Sequence, residues 1–153
     1  MPKRKLIPDV VKNQELACVP PSASVRTAVA LMAERKISAV LVTSGLELKG
    51  IFTERDLSSK VVAVGRDADM TPISEVMTAD PDTLGPDAPA YEALQLMEKR
   101  NYRHLPVTNA DGEVMGMVSI RDLFAVVRAS LEDEIKDRDA FMFGSSYSAA
   151  AMA

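Results

Sequence analysis

Gly50-Ile51-Phe52-Thr53-Glu54-Arg55-Asp56-Leu57 and Gly116-Met117-Val118-Ser119-Ile120-Arg121-Asp122-Leu123 carry the same order of chemistry, 66 residues apart. Each runs glycine, two apolar residues, a hydroxyl, a variable position, then arginine, aspartate and leucine. Working outward, Val25–Val42 (VRTAVALMAERKISAVLV) aligns with Ala90–Val107 (AYEALQLMEKRNYRHLPV), which sets Leu31-Met32 on Leu96-Met97 at an offset of 65. The same offset puts Pro21 on Pro86 and Ala23 on Ala88. The one-residue change of offset falls at Asp111-Gly112. Further upstream, Ile7-Pro8-Asp9-Val10 lies over Ile73-Ser74-Glu75-Val76. The chain is an internal duplication, and that bounds the architectures open to it.

Within each copy the apolar spacing changes period twice. Val25, Ala28, Val29 and Met32, and in the second copy Ala90, Ala93, Leu94 and Met97, follow the i, i+3, i+4, i+7 stripe of a half-buried helix. Ser24 and Asp87 stand at the expected N-caps. A short extended piece precedes each helix (Ala17 to Val19; Asp82 to Leu84), and Cys18, on the first of them, is expected to pack inside. Two apolar runs follow each helix: Ala39 to Val42 with Lys49 to Phe52, and Leu105 to Val107 with Val114 to Val118. The second pair meets through Asp111-Gly112, a hairpin signal. A second helix begins near Glu54 and near Ile120.

The predicted fold is therefore α/β (α+β): two β-α-β-β-α repeats packed sheet to sheet about a pseudo-twofold. Residues 7–72 form the first repeat and 73–130 the second; 131–153 are a helical extension ending in a mobile small-residue tail from Ser145. A repeat of about 60 residues buries little core alone. Two copies bury their open sheet faces on each other and leave two related clefts between them.

Composition narrows the function classes. The 153 residues carry 18 basic and 22 acidic side chains, for a net charge of −4, with 47% apolar and 26% charged residues. That is a globular composition, without the clustered basic face of a nucleic-acid binder. The one basic run, Lys3-Arg4-Lys5, lacks a following apolar region, and no apolar segment is long enough to span a membrane. A single cysteine, Cys18, excludes an internal disulfide and suits a cytoplasmic location. One His and one Cys build no usual metal site, so none is expected. The sequence has no Walker A or GxGxxG motif and no nucleophile–base pair, which argues against an enzyme.

The repeated motif admits two readings. A carboxylate where a strand turns into a helix can accept both hydrogen bonds of a ribose diol, and the hydroxyl with the free N–H groups of the helix start can take a phosphate. Equally, Thr53-x-x-Asp56 and Ser119-x-x-Asp122 fit the reciprocal cap of a helix start, with Asp in place of the usual Glu or Gln. Arg55 and Arg121, which a cap does not need, favour a ligand. Arg103-His104, just before the strand Leu105–Val107, adds donors suited to phosphate. The equivalent Ser38-Ala39 forms a smooth wall suited to a flat base.

The twin Gly-x-x-[Thr/Ser]-x-x-Asp motifs, the Ile-x-[Asp/Glu]-Val lead-ins and the Lys-Ile-Ser-Ala and Arg-His-Leu-Pro-Val stretches resemble a pair of CBS domains, or Bateman module, over residues 7–130. The resemblance implies a non-enzymatic regulatory module that needs no cofactor and takes an adenosine-containing ligand between the copies. AMP stands first, with ATP, ADP, NAD(H) and S-adenosylmethionine as the others, so that the module would sense energy or redox state. It implies two sites. In site A, Asp122 holds the ribose; Ser119, Arg121, Arg103 and His104 face the phosphate; Ile37, Ser38 and Ala39 line the base pocket, with Ala17 at its edge. In site B, Asp56 takes the ribose and Thr53 with Arg55 the phosphate; Tyr102, Arg103 and His104 offer backbone to the base, with Asp82 or Thr83 nearby. Site A is the more cationic and is expected to favour phosphate.

The resemblance further implies a stand-alone bacterial type acting on a separate regulated protein, with no nucleic acid or membrane as partner. The stripe Leu123, Val126, Val127, Leu131 and Ile135, which outruns the repeat, suggests a homodimer contact. A ligand-independent dimerisation scaffold, with both aspartates serving only as caps, is the alternative.

Overall fold

The computed structural model describes residues 4–152, with side chains as far as residue 140. The elements are a helical turn at Leu6–Val10, β1 (Cys18–Val19), α1 (Val25–Arg35), β2 (Ala39–Ser44), β3 (Glu47–Thr53), α2 (Glu54–Asp56, continued as a wider helical turn through Leu57–Val62), a short turn at Ile73–Glu75, β4 (Thr78–Ala79), α3 (Ala90–Arg100), β5 (His104–Thr108), β6 (Val114–Ser119) and α4 (Ile120–Met152). The small-residue end, expected as a mobile tail from Ser145, falls within the span of α4, and its side chains and Ala153 lie outside the described residues.

The first sheet has strand order β1-β2-β3-β4, with β1 parallel to β2 and the other pairs antiparallel. The second is the antiparallel pair β5-β6, in register His104↔Ser119 to Thr108↔Val114. The extended piece expected at Asp82–Leu84 shrinks to a single parallel bridge, Leu84↔Val107. Strand pleat sends alternate residues of β2 to opposite faces. Val40 and Val42 enter the core under α1, with Phe52 of β3, whereas Ala39 and Leu41 are just as buried on the face turned to the other repeat. The repeats touch at both ends of that face. Val114 N–H donates to the Leu46 carbonyl (2.9 Å) at the hairpin tips, and Ser38 Oγ lies 3.0 Å from His104 Nε2 at the other end.

The cores do not follow chain order. Ile73 and Val76, which open the second repeat, are buried in the first core with Val25, Phe52 and Val61. Leu6, which precedes the first repeat, is buried in the second core with Ala93, Met97 and Leu105. Each lead-in crosses to the other copy and makes equivalent backbone bonds there. Ile73 N–H donates to the Ala23 carbonyl (2.7 Å) and Leu6 N–H to the Ala88 carbonyl (3.0 Å). Leu6, not Ile7, is therefore the partner of Ile73. The one-residue difference is absorbed in the turn, where Val11 N–H reaches back five residues to Leu6 and Met77 N–H four to Ile73.

The crossing also settles the helix starts. Ser24 caps α1 as expected, its Oγ accepting from Thr27 N–H at 3.1 Å. Asp87 does not cap α3: the helix starts after Pro89 without a side-chain cap, and Ala90 N–H donates to the Arg4 carbonyl at 2.7 Å. Asp87 instead meets Lys5 at 3.3 Å. The crossed backbone bond is common to both helices, since Val25 N–H likewise donates to the Thr71 carbonyl at 2.9 Å; α3 lacks a side-chain cap because Pro89, not Asp87, stands at its N-cap. Cys18, expected to pack, is exposed, between the buried Ala17 and Val19.

The crossing explains why each motif opens with glycine. A Cβ on Gly50 would stand 2.6 Å from Met77 Sδ and 2.7 Å from the Thr78 carbonyl oxygen; one on Gly116 would stand 3.1 Å from Gln14 Oε1 and 3.2 Å from Ile7 Cδ1. Gly50→Ala is expected to push β4 off β3 and cost about 1–3 kcal/mol, the usual range for overpacking. Thermal unfolding checks this: a melting temperature equal to the parent's would mean that the close approach is not maintained in solution.

Candidate functional site

Two clefts lie between the repeats, and each is closed on one side by a motif aspartate. Cleft A, with a volume of about 650 Å³, gathers Val29, Met32, Ala33 and Lys36 from the end of α1 and Ile37, Ser38 and Ala39 from the start of β2. Across from them stand Arg103, His104, Met117, Ser119, Arg121 and Asp122 of the second repeat, with Gln14 and Glu54 at the edges. Cleft B, about 600 Å³, is lined by Ile51, Thr53, Glu54, Arg55 and Asp56 of the first motif, by Thr78, Asp80, Pro81 and Asp82 from the lead-in of the second repeat, and by Arg100, Tyr102, Arg103 and His104. Ser38, Glu54, Arg103 and His104 line both clefts, so the wall between them is one residue layer thick.

The geometry follows from strand ends. β5 and β6 pair His104 with Ser119, and Ile120 N–H donates to the Arg103 carbonyl at 2.9 Å, which fixes Arg103-His104 beside the start of α4. In the first copy Glu54 N–H donates to the Ser38 carbonyl at 3.0 Å and does the same for Ser38-Ala39 beside α2. Burial pushes the His104 imidazole below its ordinary pKa, and Arg103 adds to this; the Asp122 and Glu54 carboxylates pull only partly the other way. A ring held neutral can share one proton with Ser38 Oγ and suits a wall between two sites.

The cap reading of the motif holds in both copies, and the two aspartates differ in what is left over. Asp122 Oδ2 accepts from Ser119 N–H at 2.9 Å while Asp122 N–H donates to Ser119 Oγ at 3.2 Å. Asp122 Oδ1 has no hydrogen-bond or ion-pair partner among the described residues. Asp56 makes the same reciprocal cap with Thr53: Thr53 N–H donates to Oδ2 at 3.0 Å, and Asp56 N–H to Thr53 Oγ1 at 3.3 Å. Its Oδ1 is taken, by Lys60 Nζ at 3.0 Å and Thr78 Oγ1 at 3.3 Å.

Charge separates the clefts further. Cleft A presents Lys36, Arg103 and Arg121 against Glu54 and Asp122, three cations to two carboxylates. Cleft B presents Arg55, Arg100 and Arg103 against Glu54, Asp56, Asp80 and Asp82, three to four. Two of the cleft B cations are engaged: Arg55 Nη1 donates to the Asn101 carbonyl at 2.9 Å, and Arg100 Nε lies 3.6 Å from Asp82. Asp82 also accepts from the Tyr102 hydroxyl at 3.1 Å, and burial, with that carboxylate, pushes the phenol pKa upward.

Of the residues singled out from sequence for site A, Ile37, Ser38, Ala39, Arg103, His104, Ser119, Arg121 and Asp122 line cleft A. Ala17 does not; it is buried in the first core, and its carbonyl accepts from Leu41 N–H. For site B, Thr53, Arg55, Asp56, Asp82, Tyr102, Arg103 and His104 line cleft B, whereas Thr83 is exposed outside it. Sequence reasoning missed Lys36, Gln14 and Glu54 in cleft A, and Thr78, Asp80 and Arg100 in cleft B. Lys36 and Glu54 were within reach, since they flank quoted motif residues. Gln14 is placed by a peptide-like side-chain pairing: its Nε2 donates to the Met117 carbonyl (2.8 Å) and its Oε1 accepts from Met117 N–H (2.9 Å). No local pattern announces that. Among the described residues no cluster of His, Cys, Asp and Glu is placed to hold a metal, and no helix is long and apolar enough to cross a membrane.

Comparison with known proteins places this geometry. A family model of the CBS domain matches the chain twice, over residues 8–63 and 73–129. The chain is 38% identical over 119 residues to the Arabidopsis thaliana CBS domain-containing protein CBSCBSPB5, covering 77% of this chain and 22% of that one. It thus spans about a fifth of that plant relative's length. A solved structure of a putative signal-transduction protein with CBS domains from Burkholderia ambifaria superposes with a TM-score of 0.75 at 35% identity, over 80% of this chain and 93% of that one. A CBS domain protein from Pyrobaculum aerophilum, solved in complex with AMP, superposes with a TM-score of 0.67 at 26% identity, over 72% and 84%.

Proposed function

The chain belongs to the CBS-domain family, and from that premise we propose that it is a non-catalytic regulatory module that binds an adenosine-containing nucleotide, AMP first, in cleft A. The observation that carries this reading is the free Oδ1 of Asp122 in a cleft of about 650 Å³ that also holds Lys36, Arg103, His104 and Arg121. A carboxylate with one oxygen fixed by the helix start and the other open is pre-set for a ribose diol. The Arg103 and Arg121 guanidinium groups, without an ion-pair partner among the described residues, suit a phosphate. The AMP bound by the Pyrobaculum aerophilum relative supports the same ligand class.

Nucleotide seated between the repeats touches both, so it favours whichever arrangement of the two holds it better, and an attached or separate partner reads the shift. Which partner is regulated is a matter for capture experiments. The ligand is found by thermal unfolding with AMP, ADP, ATP, NAD⁺, NADH and S-adenosylmethionine. A ligand at 100 times its Kd adds about 2.7 kcal/mol, and one member of the panel is expected to raise the melting temperature by several degrees. If none does, once co-purified nucleotide has been removed, the reading fails.

The scaffold alternative draws on the cap at Thr53–Asp56, which is complete without any ligand. The two readings share one expectation. Of the stripe expected from sequence, Leu123 is buried in the second core of its own chain, whereas Leu131 and Ile135 are 52% and 59% exposed, beside Phe124 at 55%, and a second copy is the occupant we propose for that exposed part. Sedimentation is expected to give twice the 16.6 kDa chain mass. Leu131→Glu with Ile135→Glu is expected to weaken dimerisation at least about 10-fold, since each buries a charge in an apolar contact. A monomeric parent would refute the dimer.

A further inference from the structure

Lys60 breaks the symmetry of the duplication at one telling position. It sits four residues after Asp56; the residue four after Asp122 is Val126. Lys60 Nζ lies 3.0 Å from Asp56 Oδ1 and 3.5 Å from Thr78 Oγ1, and Thr78 Oγ1 donates to the same Oδ1 at 3.3 Å. Thr53 contributes its N–H (3.0 Å) and its hydroxyl (3.2 Å) to Oδ2. A carboxylate accepts about four hydrogen bonds, and Asp56, only 6% exposed, has four donors from its own chain. Two of them, the ammonium and the Thr78 hydroxyl, converge on one oxygen, as the two hydroxyls of a ribose diol would.

We propose that the ribose subsite of cleft B is occupied by the protein's own Lys60 and Thr78, so that the chain takes one nucleoside, at Asp122, and Lys60 decides that stoichiometry. This rests on the nucleotide reading of cleft A. A nucleoside entering cleft B must displace an ion pair and a hydroxyl from a buried carboxylate. One entering cleft A finds an open acceptor, because Val126 offers no donor. Thr78 lies on β4, which is held to β3 at Ile51, so one of the two occupying groups comes from the lead-in of the second repeat.

The test uses calorimetric titration with adenosine, whose neutrality separates the ribose subsite from any phosphate effect, alongside AMP. The parent is expected to bind one equivalent of each per chain, lost in Asp122→Ala. Lys60→Met keeps the aliphatic stem and removes the ammonium; with Thr78→Val added it is expected to bind a second equivalent of adenosine. Its Kd should lie within about 10-fold of the first, a difference of ~1.4 kcal/mol. That second equivalent should vanish when Asp56→Asn is introduced as well. Melting curves of each variant establish that it is folded. Two equivalents on the parent, the second lost in Asp56→Asn, would overturn the proposal while sparing the cleft A reading. So would a folded Lys60→Met/Thr78→Val variant that still binds one. Absence of binding to every variant would overturn both.

Discussion

Asp122→Ala is expected to remove nearly all of the nucleotide-induced stabilisation. A ribose diol donating twice to a carboxylate makes two charge-assisted hydrogen bonds, each contributing about 1.5–3 kcal/mol. Losing two at the lower figure costs about 3 kcal/mol, or a little over 100-fold in Kd. At a ligand concentration of 100 times the parent Kd, the parent gains about 2.7 kcal/mol and the variant ~0.3 kcal/mol. For a chain of this size that is a melting shift of roughly 5–10 °C reduced to about 1 °C. The alanine also removes the acceptor for Ser119 N–H, so the unliganded variant should melt lower by the value of a cap, about 1 kcal/mol. Asp122→Asn separates the two roles. Its carbonyl oxygen still accepts from Ser119, so the unliganded melting temperature should stay near the parent's, while its amide cannot replace the second acceptor. An Asp122→Ala protein with an undiminished ligand shift would show that the nucleotide sits elsewhere.

Leu6→Ala carries the second large effect. Leu6 is fully buried among Ala90, Ala93, Met97, Leu105 and Leu123, far along the chain from all of them. Truncating a buried leucine costs about 2–5 kcal/mol, depending on how far the surroundings collapse into the space. Amide hydrogen exchange should show the loss on β5 and β6 of the second repeat rather than on β2 and β3, which follow Leu6 in the sequence. Ile7→Ala, at a half-buried position packed on the same core, should cost less. If Ile7→Ala proved the costlier of the two, the lead-in would pair one residue away from where it is described.

The duplication, both amphipathic helices and the strand pairs were readable because each is written in local spacing. Ala28 and Met32 fall on one side of α1, and Gly112 takes the positive φ of 79° that the Asp-Gly hairpin turn requires. The two clefts were legible for a related reason: the motif residues sit at strand ends, and two copies of a motif mark two ends. What stayed hidden was held by the other copy. Asp87 looks like a cap because its sequence neighbourhood is that of a helix start, yet α3 starts two residues later, after Pro89, and Asp87 pairs with Lys5 from the crossing lead-in. Ala17 and Thr83, implied by the resemblance, lie off the clefts: Ala17 is buried in the first core and Thr83 is exposed. Nothing in the local sequence marks Lys60 out. Only the fold brings Thr78 across to complete its contact with Asp56.

The crossed lead-ins also govern the order in which the chain can mature during synthesis. The first repeat has all its strands once Thr53 has emerged, but its core stays open until Ile73 and Val76 follow. Leu6, made ahead of both repeats, has no core to enter until α3 and β5 exist about 100 residues later. Neither repeat can therefore finish folding as an autonomous unit while the other is still being made, and the apolar lead-in at Leu6 waits exposed until the second repeat follows. Long-range closure of this kind slows folding and leaves unfinished chains open to capture by chaperones. A nascent half-length chain is the species most exposed to misassembly.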